Sequence, residues 1–253
     1  MKYNEIHFLR NCRIGLALSG GAVRGLAHIG VIKALDETGI QPTFIAGTSA
    51  GSLVGAAFSA GMSWREIANL SRSTFWPKLL YGPSLEKFCD KYLPKDFAQL
   101  QRQFAAIATL VPSKQAVTIT EGHLASAISA SCAMPLFRNP VMREGLRLLD
   151  GGIACVLPSR ACGEQGADFI IASDVWEKSS LIRSLGRNPR DENNRRFYPS
   201  HYWRAVMQTD ILVQPSIPLS GYIPTASALE RMIAAGEIAT RQALASFSIA
   251  LAA

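Results

Sequence analysis

Apolar residues fall in short runs and helical stripes that alternate from the first twenty residues onward. Ile14–Leu18 is a short apolar run ending at Ser19-Gly20-Gly21, the pattern of a buried strand entering a tight turn. From Arg24 to Thr38 the apolar positions Leu26, Ile29, Val31, Ile32 and Leu35 keep helical spacing, and Gly39 supplies a C-terminal stop. Phe44–Ala46 predicts a second strand, and Gly47-Thr48-Ser49-Ala50-Gly51 turns into a helix of small residues reaching Gly61. Strand, helix, strand and helix with short links imply parallel pairing with both faces covered. Further on, Ser63-x-x-Glu66 has the form of a capping box for a helix to about Arg72, and Ser84–Tyr92 reads as helical. Strands are predicted over Ala105–Val111, Ala116–Ile119, Leu146–Leu149, Phe169–Ala172 and Ile211–Val213. Helices are predicted over Gly122–Ser131, near 202–208, and from about Thr225 to Ala250. The expected fold is a three-layer α/β/α domain over 1–253 with a mainly parallel central sheet and its core motifs in 14–175.

Composition narrows this picture. Of 253 residues 48% are hydrophobic and 18% charged, too apolar and too lightly charged for a disordered chain. The net charge of +7 is local: residues 178–204 hold seven basic side chains against Asp191 and Glu192. Such a segment, expected as an arginine-rich insertion over about 176–204, suits an anionic membrane surface, and equally an exposed solvated loop. No nucleic-acid-binding module accompanies it, so no nucleic-acid partner is expected. Five cysteines without a CxxC pair, and four histidines, give no zinc pattern. Free thiols, no leader-like apolar segment before the first glycines and no run of 18 apolar residues point to a cytoplasmic protein, peripheral at most to the inner membrane face. Oligomeric state is not encoded in any pattern found.

Two turns carry chemistry. Gly47-Thr48-Ser49-Ala50-Gly51 is a G-x-S-x-G between strand and helix, where flanking glycines permit a strained turn that presents the Ser49 hydroxyl at a helix start. Ser19-Gly20-Gly21-Ala22-Val23-Arg24-Gly25 brings successive backbone N–H groups to the start of another helix. A dinucleotide fingerprint would need a glycine at Ala22 and an acidic residue ending the next strand, which ends in the serine turn instead. An oxyanion hole therefore suits this loop better.

A nucleophilic serine needs a base, and the histidines serve poorly. His7 precedes the first strand, His123 begins a helix, His201 lies in the arginine-rich segment, and His28 one turn into a helix reads as packed structure. Asp150, at a strand end before Gly151-Gly152, is better placed, because the C-terminal ends of parallel strands converge on one crevice.

Together these motifs resemble the bacterial patatin-like phospholipases, lipid acyl hydrolases with a Ser–Asp pair. The resemblance rests on Ser19-Gly-Gly-Ala-Val-Arg-Gly-Leu-Ala-His-Ile-Gly, Gly47-Thr-Ser-Ala-Gly, Ala130-Ser-Cys-Ala-Met-Pro, Asp150-Gly-Gly, Gly166-Ala-Asp and Gly236 in the terminal helix. It implies Ser49 as nucleophile, Asp150 as base, Gly20 and Gly21 as oxyanion donors, Arg24 as a nearby anion- or substrate-binding residue, and a lipid acyl ester as substrate. The serine chemistry that the resemblance implies calls for neither metal nor organic cofactor.

Three departures bear on it. Ala22 stands where the family often has a third glycine, Val156 where it commonly has asparagine, and Ala108-Thr109-Leu110 lacks the aspartate of an Ala-Thr-Asp-like stretch. A catalytically weakened regulatory or scaffold protein is the alternative. An acyltransferase would want a histidine where Thr48 precedes the serine. Ser73–Gly82, with Phe75, Trp76 and Tyr81, suits either a lid that meets lipid or ordinary packing.

Overall fold

The predicted apolar runs all become strands of one eight-stranded sheet. The computed structural model describes residues 9, 11–79, 83–135, 137–217 and 225–251. In chain order the strands are β1 (Ile14–Leu18), β2 (Phe44–Thr48), β3 (Gln103–Leu110), β4 (Ala116–Ile119), β5 (Val141–Arg143), β6 (Leu146–Asp150), β7 (Phe169–Ser173) and β8 (Ile211–Val213). They lie in the order β5-β6-β3-β2-β1-β7-β8, with β4 also paired to β3. The helices are α1 (Ala27–Glu37), α2 (Ala50–Ser59), α3 (Trp64–Ser73), α4 (Trp76–Leu79), α5 (Ser84–Tyr92), α6 (Leu124–Ser131), α7 (Ser159–Glu164), α8 (Glu177–Ser184), α9 (Ser200–Met207) and α10 (Ala226–Leu251). The helix expected from Arg24 is split: a 3₁₀ turn, Ala22–Leu26, precedes α1. The Ser63–Glu66 capping box forms as expected at the start of α3.

Alternation along the strands sorts side chains to two cores. Leu16, Leu18, Ile45, Phe104, Ala106 and Ile171 pack with α1, α2, α6 and α10, while Ala17, Ala46, Ala105, Ile107, Ile170 and Ala172 pack with α7 and α9. Burying each of the larger side chains contributes about 1.5–3 kcal/mol. Small residues dominate the second face, so its covering helices come close. On the first face α10 packs on α1 so tightly that a Cβ at Gly236 would stand 1.9 Å from the Ala27 carbonyl oxygen.

The arginine-rich stretch packs into the second helical layer. Tyr198, Tyr202, Ala205 and Val206 are buried there against the sheet. Its arginines engage local partners: Arg190 donates to the Thr209 carbonyl at 2.7 Å, Arg187 and Arg196 lie over Phe197, and Arg195 over Trp203. Asp174, 1% exposed, accepts from Ser179 at 2.6 Å and Tyr202 at 2.7 Å and thereby fastens this layer to the end of β7. Within the 73–82 stretch, α4 forms and Trp76 packs on the core with its indole N–H donating to Ser71 O, whereas 80–82 lie outside the described residues.

The sheet departs from simple parallel pairing where it matters most. β2, β1, β7 and β8 run parallel, and β2 pairs in parallel with β3, but β4, β5 and β6 are antiparallel to their neighbours. Ile107 pairs with both Thr48 and Thr118, and Ala108 with both Val117 and Asp150. β4 therefore fills one flank of β3, and β2 and β6 share the other, running toward each other end to end. Their C-termini meet beside Ile107–Ala108.

Candidate active site

That meeting point places the residue after β2 against the last residue of β6. Ser49 Oγ donates to Asp150 Oδ2 at 2.8 Å, and the two residues are 8% and 7% exposed. The convergence on a parallel-sheet edge expected from sequence is thus replaced by two strand ends meeting head-on.

Ser49 adopts φ 52° and ψ −122°, a conformation that L-residues seldom take and that costs on the order of 1–3 kcal/mol. It turns the hydroxyl out of the strand line. The turn also crosses itself closely, since a Cβ at Gly47 would lie 2.4 Å from Gly51 O and one at Gly51 2.2 Å from Leu18 O. Both flanking glycines are required by contact.

The strain is held by neighbours that the sequence did not advertise. Ser131, fully buried at the end of α6, accepts the Ser49 main-chain N–H on its hydroxyl at 2.9 Å. Two residues later Ala133 O accepts the Asp150 N–H at 2.9 Å. One short segment therefore grips the backbones of both residues. Thr109 Oγ1 donates to Asp150 O at 2.8 Å, and Ser52 Oγ donates to Ser49 O at 2.7 Å. The one available signal was the Ala130-Ser-Cys-Ala-Met-Pro motif, which carried no assignable role by itself.

Burial pushes the Asp150 carboxyl up to about 6, against the opposing pull of its hydrogen bonds from Ser49 and from the Gly152 N–H, which reaches Oδ1 at 2.8 Å. A carboxylate so raised binds a proton far more readily than one in water, while remaining ionised at neutral pH. Among the described residues no histidine takes this place. His28 is fully buried, its Nδ1 at 2.8 Å from Ser173 Oγ and its Nε2 at 2.9 Å from Ser19 O, and burial lowers it to about 4. His123 bonds Asp90, and His7 lies outside the described residues.

The glycine loop and its arginine differ from expectation. The Gly20 N–H donates to Val156 O at 2.9 Å, so this amide is engaged rather than open to an oxyanion. The Gly21 N–H has no acceptor among the described residues. Ala22 adopts φ 48°, the left-handed conformation in which an alanine costs about 1–2 kcal/mol. Arg24 is 6% exposed and donates from Nε to Val175 O at 2.9 Å and from Nη1 to Ile217 O at 3.3 Å. Through these two nitrogens it clamps the chain beyond β7 and β8. Gly151 and Gly152 lead away from Asp150 in a 3₁₀ turn ending at Ile153. Among the described residues no cluster of three His, Cys, Asp or Glu side chains could hold a metal, and no helix is long and apolar enough to cross a membrane.

A family model described as patatin-like phospholipase matches residues 16–160. An uncharacterized NTE family protein of Mycobacterium tuberculosis is 36% identical over 174 residues, covering 63% of this chain and 48% of that protein. The lysophospholipase nte1 of Aspergillus fumigatus is 31% identical over 185 residues, covering 64% of this chain and 12% of its own length. The chain thus spans half or less of these relatives. Among solved structures, VipD from Legionella pneumophila superposes with a TM-score of 0.61 at 13% identity, over 92% of this chain and 66% of that one. Human GIVD cytosolic phospholipase A2 gives 0.51 at 12% identity, over 98% and 61%. These two likenesses concern the fold: a central sheet between helical layers.

Proposed function

The chain belongs to the patatin-like phospholipase family, and from that premise we propose that it is a serine lipid acyl hydrolase with Ser49 as nucleophile and Asp150 as base. The observation that carries this is the 2.8 Å hydrogen bond from the Ser49 hydroxyl to a buried carboxylate raised to about 6.

In this scheme Ser49 Oγ attacks the ester carbonyl carbon while Asp150 Oδ2 takes its proton. The carbonyl oxygen gains negative charge, which in this scheme the Gly21 N–H stabilises. One such donor is typically worth about 10²–10³ in turnover. Collapse of the tetrahedral intermediate breaks the bond to the alcohol, which leaves with the proton held by Asp150. Water then attacks the acyl-serine as Asp150 takes its proton; the bond to Ser49 Oγ breaks, Oγ takes that proton from Asp150, and the fatty acid leaves with free Ser49 restored. No step requires a cofactor. The substrate proposed is a phospholipid, lysophospholipid or related acyl ester, in keeping with the relative named lysophospholipase.

The engaged Gly20 amide favours a second reading, a catalytically weakened member acting as regulator or scaffold. Fatty-acid release from a panel of lysophospholipids and phospholipids separates the two. The hydrolase reading expects turnover by the wild type and none above background by Ser49→Ala. Equal release by both, or by neither, would reject it.

A further inference from the structure

Exposed large apolar side chains gather at the sheet edge that holds Ser49. Phe75 is 73% exposed, and its height in the fold follows from helix pairing. α10 runs parallel to α1, with Lys33 bonded to Glu237 and Glu37 to Arg241, so Glu230 stands beside the start of α1 at the strands' C-terminal edge. Arg72 binds Glu230 at 2.7 Å, which brings Phe75, three residues further on, to that same edge.

Met142 and Leu146, 64% and 41% exposed, reach it by another route. Leu148 pairs with Leu110 and Met142 with Arg147, so the β5–β6 hairpin climbs beyond the level at which Thr48 pairs with Ile107. Ile153, 39% exposed, follows Asp150 by three residues. Lys78 in α4, Arg147 in β6 and Lys114 in the β3–β4 turn, whose Val111 N–H bonds Arg147 O, are exposed as well. In the hairpin turn Glu144 lies 3.4 Å from Arg143. The rim is apolar and basic.

Within the arginine-rich stretch, Arg190 points elsewhere. Arg190 donates to the carbonyls of Thr209 and Asp210, at the entry to β8, and Asp210 N–H bonds Ile170 O near the start of β7. Both contacts lie at the opposite edge from Ser49.

We propose that the rim around Ser49 is a docking surface for an anionic lipid bilayer. Phe75, Met142, Leu146 and Ile153 enter the headgroup layer while Lys78, Lys114 and Arg147 face its negative charge. Exposed apolar side chains are ordinary singly, but their grouping around a nucleophile among cations matches a lipid interface. The inference rests on the lipid hydrolase reading for its biological sense, although its test does not.

The test is vesicle co-sedimentation of Ser49→Ala protein with phosphatidylcholine alone and with phosphatidylcholine–phosphatidylglycerol mixtures. Binding is expected to the anionic vesicles and to weaken at least about tenfold on adding Met142→Ser with Leu146→Ser, or Lys114→Gln with Arg147→Gln. Adding Arg190→Gln instead is expected to change it less than about twofold. With Ser49 intact, the rim variants are expected to hydrolyse soluble p-nitrophenyl butyrate like the wild type. Unaltered vesicle binding by the rim variants would overturn the proposal. So would a loss confined to the Arg190 variant, or a parallel fall in soluble-ester turnover. A wild-type dimer that Met142→Ser with Leu146→Ser dissolves would assign the rim to a second copy. Vesicle binding by a protein that turns over no ester would instead reject the hydrolase reading and leave the docking surface standing.

Discussion

Replacing Asp150 with asparagine should stabilise the protein at pH 8 while removing its base. Burial raises the carboxyl from 3.8 to about 6, so the folded state holds this proton more tightly than the unfolded chain does. Stability from this group is therefore fully present below the unfolded value, declines as pH rises between 3.8 and about 6, and stays reduced above that. At 1.36 kcal/mol per pKa unit, the ionised carboxylate costs the fold about 3 kcal/mol at pH 8. Asparagine carries no charge and keeps the geometry. Its amide can donate to Ser49 Oγ, and its oxygen can accept the Gly152 N–H that Oδ1 now accepts. For a chain of this size about 3 kcal/mol corresponds to a rise in Tm on the order of 10 °C. Melting curves of wild type and Asp150→Asn at pH 4.5 and pH 8 measure it. The gap should be large at pH 8 and shrink toward pH 4.5. An asparagine variant that melts at or below wild type at pH 8, or a gap independent of pH, would refute the idea that desolvation sets the basicity of Asp150.

Three further outcomes follow from the same geometry. Because the base works only when ionised, kcat/KM on a soluble ester should rise as pH increases through about 6 and then level; a flat profile from pH 5 to 8 would contradict this. Ser131→Ala leaves the buried Ser49 N–H without its acceptor, a loss of about 1–3 kcal/mol. If it loosens the turn rather than substrate binding, kcat should fall roughly 10- to 100-fold at unchanged KM, and Ser131→Thr should restore part of it. Arg24→Met removes the clamp between Val175 O and Ile217 O, so Tm should drop while the ratio of KM values for anionic and neutral esters stays constant. A selective rise in KM for the anionic ester would return Arg24 to the role of ligand for an anion.

What could be read from the sequence was what is encoded locally. The serine turn is legible because its two glycines flank the serine within five residues, and Asp150 because Asp-Gly-Gly closes a strand. Their meeting was not legible, since it depends on β2 and β6 sharing one flank of β3, a matter of register between strands some hundred residues apart. Backbone engagements are equally silent: any residue at 156 offers the carbonyl that occupies the Gly20 amide. At Arg24 and in the arginine-rich stretch, charge alone did not fix a role. Charge suggested solvent or ligand, but guanidinium groups also satisfy buried carbonyls and stack on rings, as Arg24, Arg190 and Arg187 do. Tyr198 and Tyr202 were the overlooked sign that 176–204 covers a core.

The central claim is that Ser49 is a nucleophile activated by Asp150. Reaction with an alkyl fluorophosphonate followed by peptide mass spectrometry tests it directly. One adduct on Ser49 is predicted, absent in Ser49→Ala and formed at least about tenfold more slowly in Asp150→Asn. Adduct formation that persists in Ser49→Ala, or an undiminished rate in Asp150→Asn, would contradict it.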